Sequence, residues 1–373
     1  MKMIKHPYQN QAIKAKMTLE EIIGRIIPVD EQAKREARLR QGRLTKPPGS
    51  LGRLETLSIQ LAGIFRTERP SPRGKTIIVA AGDHGVVAQG VTAYPQEVTA
   101  QMVRNFLEGG AAINVMARKA GVDLVIVDAG MATPLPDHPD LQVIAVGHGT
   151  ADITLGPAMT RGQAEACVTA GVGLALKAAD DGADIIGTGD MGIGNTTTSS
   201  AIVAALTGMP PSETTGRGTG RTDREMERKI AVVERALDVN RPNPADALDV
   251  LTKVGGFEIG ALAGVALGGA LARRAVVLDG FISGAAGLIA HSLCPDVGDY
   301  LVAAHLSAEK GHQIALAHMG LWPLLDLDMR LGEGTGAALA MGLVEAAAAC
   351  LTDMATFDEA GVSDREPTDA DSH

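Results

Sequence analysis

From about residue 75 the chain alternates short apolar runs that end in Gly or Asp with stretches of helical spacing. The runs are TIIVAAGDHG, DLVIVDAG, LQVIAVGHG, ADIIGTGD, AVVLDGF and YLVAAH. Continuous apolar runs of this length read as strands buried on both faces, and the stretches between them as crossover helices. The pattern predicts an α/β fold, a parallel sheet covered by helices on both faces. Ahead of it, residues 17–45 are charged, with Leu19, Ile22, Ile23 and Ile26 at helical spacing, which predicts one or two exposed helices. Residues 207–225 form a Pro/Gly/Thr-rich connection, long enough to suggest a binding loop, followed by a charged helix at roughly 226–238. An Ala-rich helix begins after about 335, and the last sixteen residues, with six acids and one Arg, read as a disordered tail.

Composition narrows the function. The 373 residues carry a formal charge of -10 and are only 2% aromatic, so the chain has neither the basic stripe nor the stacking platform of a nucleic-acid binder. The first seventeen residues hold no continuous apolar segment, and no stretch reaches about 18 uninterrupted apolar residues, so a cytoplasmic protein without a membrane partner is expected. Cys167, Cys294 and Cys350 lie far apart with no C-x-x-C, and read as reduced thiols. The 45 glycines cluster in short loops between apolar runs, a placement that suits backbone lying close to a ligand.

In a parallel sheet of this kind, ligands sit beyond the carboxyl ends of the strands. The loops expected to carry chemistry are therefore those opening at Gly82, Gly130, Gly187, Gly280 and His305. The segment Gly187-Thr-Gly-Asp-Met-Gly-Ile-Gly-Asn195-Thr-Thr-Thr198 follows a predicted strand and opens a predicted helix at Thr196, where free N–H groups can cradle a phosphate. Gly187, Gly189 and Gly192 match G-x-G-x-x-G, but no strand ending in a ribose-binding acid follows, which argues against a dinucleotide site. A purely structural tight turn is the alternative reading of these glycines, and two further Gly/Thr-rich loops in the chain weigh against it. Arg330-Leu-Gly-Glu333-Gly-Thr-Gly336 repeats the construction with a carboxylate between two glycines, which by itself is explained by a favourable charge at a helix N-terminus. Lys229 on the charged helix reads by default as a solvated lysine. The scattered histidines lack a metal-ligand spacing and read as satisfied structural residues, and no G-x-S-x-G is present.

Together these segments resemble the nicotinate-nucleotide:dimethylbenzimidazole phosphoribosyltransferase family. Lys46-Pro-Pro-Gly-Ser-Leu-Gly-Arg-Leu-Glu55 resembles its N-terminal signature, and Ala81-Gly-Asp-His-Gly-Val with Val98-Thr-Ala-Gln-Met-Val103 its base-pocket region. GTGDMGIGNTTTS, GRGTG, VLDGFISGAA, HLSAEKGH and LDLDMRLGEGTGAALAM follow in family order. The resemblance implies that Glu333 is the catalytic base, with Asp190 and Lys229 as further catalytic residues. It also implies that Gly192, Gly194, Asn195, Ser307 and Gly332 line a nicotinate mononucleotide site and that Gln101, with Tyr94 and Met102 near it, belongs to the benzimidazole pocket; Ile193, Leu331 and Thr92 are further substrate-binding candidates. The family usually has Glu where this chain has Asp190, one methylene shorter.

The resemblance further implies a Rossmann-like three-layer α/β/α large domain, a small helical domain built from both chain ends, a homodimer, and a reaction with neither metal nor cofactor. The expected boundaries are 1–74 for the N-terminal helical segment, 75–330 for the substrate-binding domain, 331–357 for the catalytic loop and last helix, and 358–373 for the acidic tail. A dinucleotide-dependent oxidoreductase, a non-catalytic nucleotide-binding partner, and a transferase using another benzimidazole, adenine or a phenol are the competing expectations.

Overall fold

A computed structural model describes residues 17–216 and 223–363. Up to Ile27 and from Gly74 to Met341 the described residues form one compact unit; Pro28–Arg73 with those from Gly342 onward form a second.

The first unit is built on six strands: β1 (Gly74–Gly82), β2 (Asp123–Gly130), β3 (Leu141–Val143), β4 (Ala183–Met191), β5 (Ala275–Leu278) and β6 (Leu301–Ala303). They pair in the order β3-β2-β1-β4-β5-β6, and every pair is parallel. Ile77 to Ala81 are buried along the whole run, as a strand covered on both sides requires. Because the chain leaves β1 in one direction to β2 and returns to its other side as β4, the connections after these two strands diverge, leaving a crevice at their carboxyl ends. A short parallel pair, β7 (His305–Leu306) and β8 (Leu325–Asp326), stands apart from the sheet.

The elements expected from the apolar runs are present with shifted ends. Only Leu141–Val143 of LQVIAVGHG pairs as strand, because Ile144 onward is diverted into a loop. The larger shift concerns β4, which runs through Gly187 and Gly189 to Met191. Those two glycines are therefore strand residues rather than loop residues, and the expected phosphate turn contracts to Gly192–Gly194 ahead of the helix Asn195–Thr207. The charged helix is longer than expected, Asp223–Asn240. Most of the GRGTG segment, 217–220, lies outside the described residues, as does the tail from 364.

Helix Phe257–Leu271 lies against β1, β2, β4 and β5 and along helix Arg161–Asp180. The helix pair meets through glycines: a Cβ on Gly171 would collide with the Ala261 carbonyl, and one on Gly264 with the Val168 carbonyl. Neither obstacle is a side chain that can rotate away. Gly264→Ala is expected to force the two helices apart, costing about 1–3 kcal/mol and lowering Tm by a few degrees in a calorimetric melt. An unchanged Tm would show that the helix packing tolerates the extra methyl.

In the second unit the KPPGSLGRLE signature is a loop that runs into helix Arg53–Phe65 and folds around one carboxylate of its first turn. Glu55 accepts from Lys46 Nζ at 2.7 Å, from Leu51 N at 3.0 Å and from Gly49 N at 3.2 Å. Burial raises the carboxyl pKa, but these donors outweigh it and hold Glu55 below its ordinary value. Arg40 ties the same unit together by donating to the carbonyls of Leu351 and Met354. Among the described helices, Thr335–Asp353 has the length and hydropathy to cross a membrane, yet 56% of its apolar window is buried inside the protein, as in a core helix.

Candidate active site

Glu333 stands at the crevice, on three successive residues in the left-handed region: Gly332 (φ 82°), Glu333 (φ 63°) and Gly334 (φ 97°). The two glycines adopt it freely, whereas an L side chain there costs about 1–2 kcal/mol. The surroundings hold the strained turn in place. Glu333 N donates to the Asp190 carbonyl at 3.1 Å, Gly334 N to Asp279 Oδ2 at 3.1 Å, and Ala337 N to Asp279 Oδ1 at 3.0 Å. Asp279, just past the end of β5, thereby caps helix Thr335–Asp353 and clamps the turn before it.

The Glu333 side chain is 5% exposed, and its Oε2 accepts a hydrogen bond from Ile113 N at 3.1 Å. Burial raises its pKa, with the Ile113 donor opposing. Asp190, at the end of β4, is buried; it accepts from Asn195 Nδ2 at 2.9 Å through Oδ2, while Oδ1 has no partner. Burial first, then the charges of Asp279 and Glu258, push its pKa well above the ordinary value. Asp279 is pushed up to about 7 by burial, against its backbone donors. The crevice is thus floored by carboxyl groups that hold a proton more tightly than solvated ones do.

Helix Asn195–Thr207 aims its N-terminus at the same place. Gly192 is packed so closely beneath the turn that a Cβ there would collide with the Gly82 carbonyl, and Gly194 adopts a φ of 97°. Ile193 N donates to Thr99 Oγ1 at 3.1 Å, which in turn donates to Asp83 Oδ1 at 2.7 Å, so the turn is fixed to the end of β1. Beneath it, buried His84 bridges Glu258 (Nε2 to Oε1, 2.6 Å) and the Thr198 hydroxyl (Nδ1, 3.0 Å).

Lys229 departs from the solvated lysine expected of a charged helix. It is 1% exposed, and its Nζ donates to Thr196 Oγ1 at 3.0 Å and to the Gly216 carbonyl at 3.2 Å, beside the helix N-terminus. Ser307 is buried and its N–H donates to His312 Nδ1 at 3.0 Å. The histidine expectation holds for His84 but not for the His305 and His312 pair, where His305 Nδ1 and His312 Nε2 have no partner. Burial, and then His305, takes His312 down to about 3, so it stays neutral.

Asp190, Asn195, Gly332 and Glu333 therefore meet directly, and Lys229 joins them through Thr196. Leu331 is exposed next to Gly332. Thr92, Tyr94 and Gln101 stand further out: Tyr94 and Gln101 are exposed, and Thr92 Oγ1 accepts from Tyr94 N at 3.2 Å. Sequence reasoning did not single out Asp279, Glu258 or Glu309. Asp279 carried the one readable signal, an acid ending the apolar run AVVL.

A parallel sheet in this order, with a helix N-terminus and buried carboxyl groups brought together at its switch point, fits an α/β enzyme acting on a nucleotide. The class is narrower than that: a family model for phosphoribosyltransferases matches residues 26–362, and the chain belongs to that family. It is 58% identical over 345 residues to the nicotinate-nucleotide--dimethylbenzimidazole phosphoribosyltransferase of Roseiflexus sp. (strain RS-1), covering 92% of this chain and 98% of that one. To the protein of the same name from Chloroflexus aggregans it is 56% identical, over 93% of this chain and 99% of the relative. The crystal structure of the Thermus thermophilus enzyme with this name superposes with a TM-score of 0.86 at 48% identity, covering 90% of this chain and all of that one.

Proposed function

We propose that this chain transfers the 5-phosphoribosyl group of nicotinate mononucleotide to 5,6-dimethylbenzimidazole, giving α-ribazole 5′-phosphate and nicotinate with inversion at C1′. The observation that carries the reading is the placement of Glu333, a buried carboxyl group held between two left-handed glycines opposite the N-terminus of helix Asn195–Thr207. The reaction belongs to the assembly of the cobalamin nucleotide loop, and we propose a cytoplasmic homodimer as its working form.

The chemistry needs little from the protein beyond position and one base. Nicotinate leaves as a neutral pyridine from a cationic pyridinium, so no acid has to protonate it. The attacking benzimidazole uses one ring nitrogen while the proton on the other must be removed, or the product is a benzimidazolium. Glu333 takes that proton; its raised pKa, caused by burial, makes it a stronger base than a solvated carboxylate. The positive end of the dipole of helix Asn195–Thr207 and the charge on Lys229 hold the donor's phosphate, fixing C1′ in line with the acceptor. Asp190 orients Asn195 on one side and, through its carbonyl, the Glu333 backbone on the other.

The test incubates purified protein with both substrates, without added metal, and follows products by chromatography. Nicotinate and α-ribazole phosphate are expected in equal amounts. Absence of nicotinate release across a panel of benzimidazoles, purines and phenols, with nicotinate mononucleotide still bound, would overturn the reading.

A further inference from the structure

We propose that Glu309 receives the ribose 2′-hydroxyl of the donor nucleotide and so selects ribosyl over 2′-deoxyribosyl donors; this rests on the function proposed above. Glu309 is the residue before helix Lys310–His318, and it is 5% exposed. Its Oε2 is buried without a hydrogen-bond partner. The carboxylate lies against Gly216, where any Cβ would collide with Oε2. The neighbouring Thr215 is fully buried, and its hydroxyl also lacks a partner.

A buried carboxylate oxygen facing no donor is costly unless a donor arrives from outside. The location says which donor. Gly216 is the residue whose carbonyl accepts from Lys229 Nζ, at the phosphate end of the site. On its other side, Glu309 N donates to Ser307 Oγ at 3.4 Å, and Ala308 N donates to the Met329 carbonyl, just ahead of the loop that carries Glu333. Glu309 therefore stands between the group proposed to hold the phosphate and the base that faces the reacting carbon.

The part of a mononucleotide lying between phosphate and C1′ is the ribose ring. Its vicinal hydroxyls are neutral O–H donors, whereas the phosphate and the nicotinate carboxylate are repelled by a carboxylate. A carboxylate accepting from a ribose diol is the pairing by which dinucleotide sites read the 2′-hydroxyl. The next strand after the glycine turn, β5, is followed by Asp279, but both of its carboxylate oxygens already accept from Gly334 N and Ala337 N, so it is no free ribose-binding acid. The structure supplies one from a distant segment, 114 residues beyond Asn195 in the numbering.

The test measures Kd by titration calorimetry for nicotinate mononucleotide and its 2′-deoxy analogue, on wild type, Glu309→Gln and Glu309→Ala, with thermal melts of each. A binding readout keeps this test separate from turnover. Wild type is expected to prefer the ribosyl donor by about 10- to 100-fold, the worth of a hydrogen bond to a charged acceptor. Glu309→Ala is expected to weaken ribosyl binding by that factor and leave the deoxy analogue within about 3-fold of wild type, with Glu309→Gln between the two. A preference that survives in Glu309→Ala, or an equal loss on both donors, would overturn the proposal. Should the alanine variant melt far below wild type, the isosteric glutamine variant decides in the same way. If wild type binds and discriminates as expected yet releases no nicotinate, the reaction reading fails while the ribose site stands.

Discussion

Glu333→Gln is expected to lower kcat by about 10²-fold or more while the protein remains folded and binds both substrates. The amide preserves the shape that sits in the turn and can still accept from Ile113 N, so the strained backbone keeps its partners. What it cannot do is remove the benzimidazole proton. Because burial raises the Glu333 pKa, wild-type kcat/KM should fall as pH drops through a midpoint above the usual carboxylate value, and the residual activity of the variant should lack that limb. The sign for stability runs the other way. A raised folded pKa contributes stability below the unfolded value and loses it as pH rises through the folded one, so at neutral pH the neutral amide is expected to leave Tm equal or higher. Steady-state kinetics across pH with parallel melts would check both, and turnover close to wild type would remove Glu333 from the chemistry.

Gly189→Ala should be nearly as damaging to turnover, by a different route. Gly189 lies in β4, and a Cβ there would strike the carbonyl of Glu333 and crowd Gly334 N at 2.8 Å. These are backbone atoms of a turn that is already held in place, by Glu333 N on the Asp190 carbonyl and by Gly334 N on Asp279. The loop must then retreat from the strand, carrying the base with it, and a displacement of about 1 Å at a reacting group costs on the order of 10²-fold in rate. The overpacking itself should cost only about 1–3 kcal/mol of stability. The signature is thus a fall in kcat out of proportion to the change in Tm. A variant that loses stability but keeps kcat would show that the loop can shift without disturbing the base.

The Gly189 case marks where sequence reasoning stopped. As letters, Gly187, Gly189, Gly192 and Gly194 are equivalent members of one glycine-rich turn. In the structure the first two lie inside a strand, where Gly187 makes room for Met341 and Gly189 for the Glu333 backbone; only the latter two form the turn at the helix N-terminus. The same holds for Lys229: its helix is charged and amphipathic, and nothing local says that this one lysine turns inward to Thr196 and Gly216.

The ordered motifs were enough for the family and, through it, for the candidacy of Glu333; local pattern was enough for the parallel α/β class, the strand-end positions of most loops and the turn before Asn195. These follow from apolar periodicity and from glycine placement, both of which act over a few residues. It took the folded chain to show that Asp190, Asp279 and Glu333 share one crevice, that Asp279 clamps the catalytic turn, and that Glu309 faces Gly216 with an unclaimed oxygen. Those residues are brought together by the crossover order of the sheet, which places the ends of β1, β4 and β5 side by side. Burial, charge and hydrogen-bond demand depend on such distant neighbours, and no local pattern in the chain encodes them.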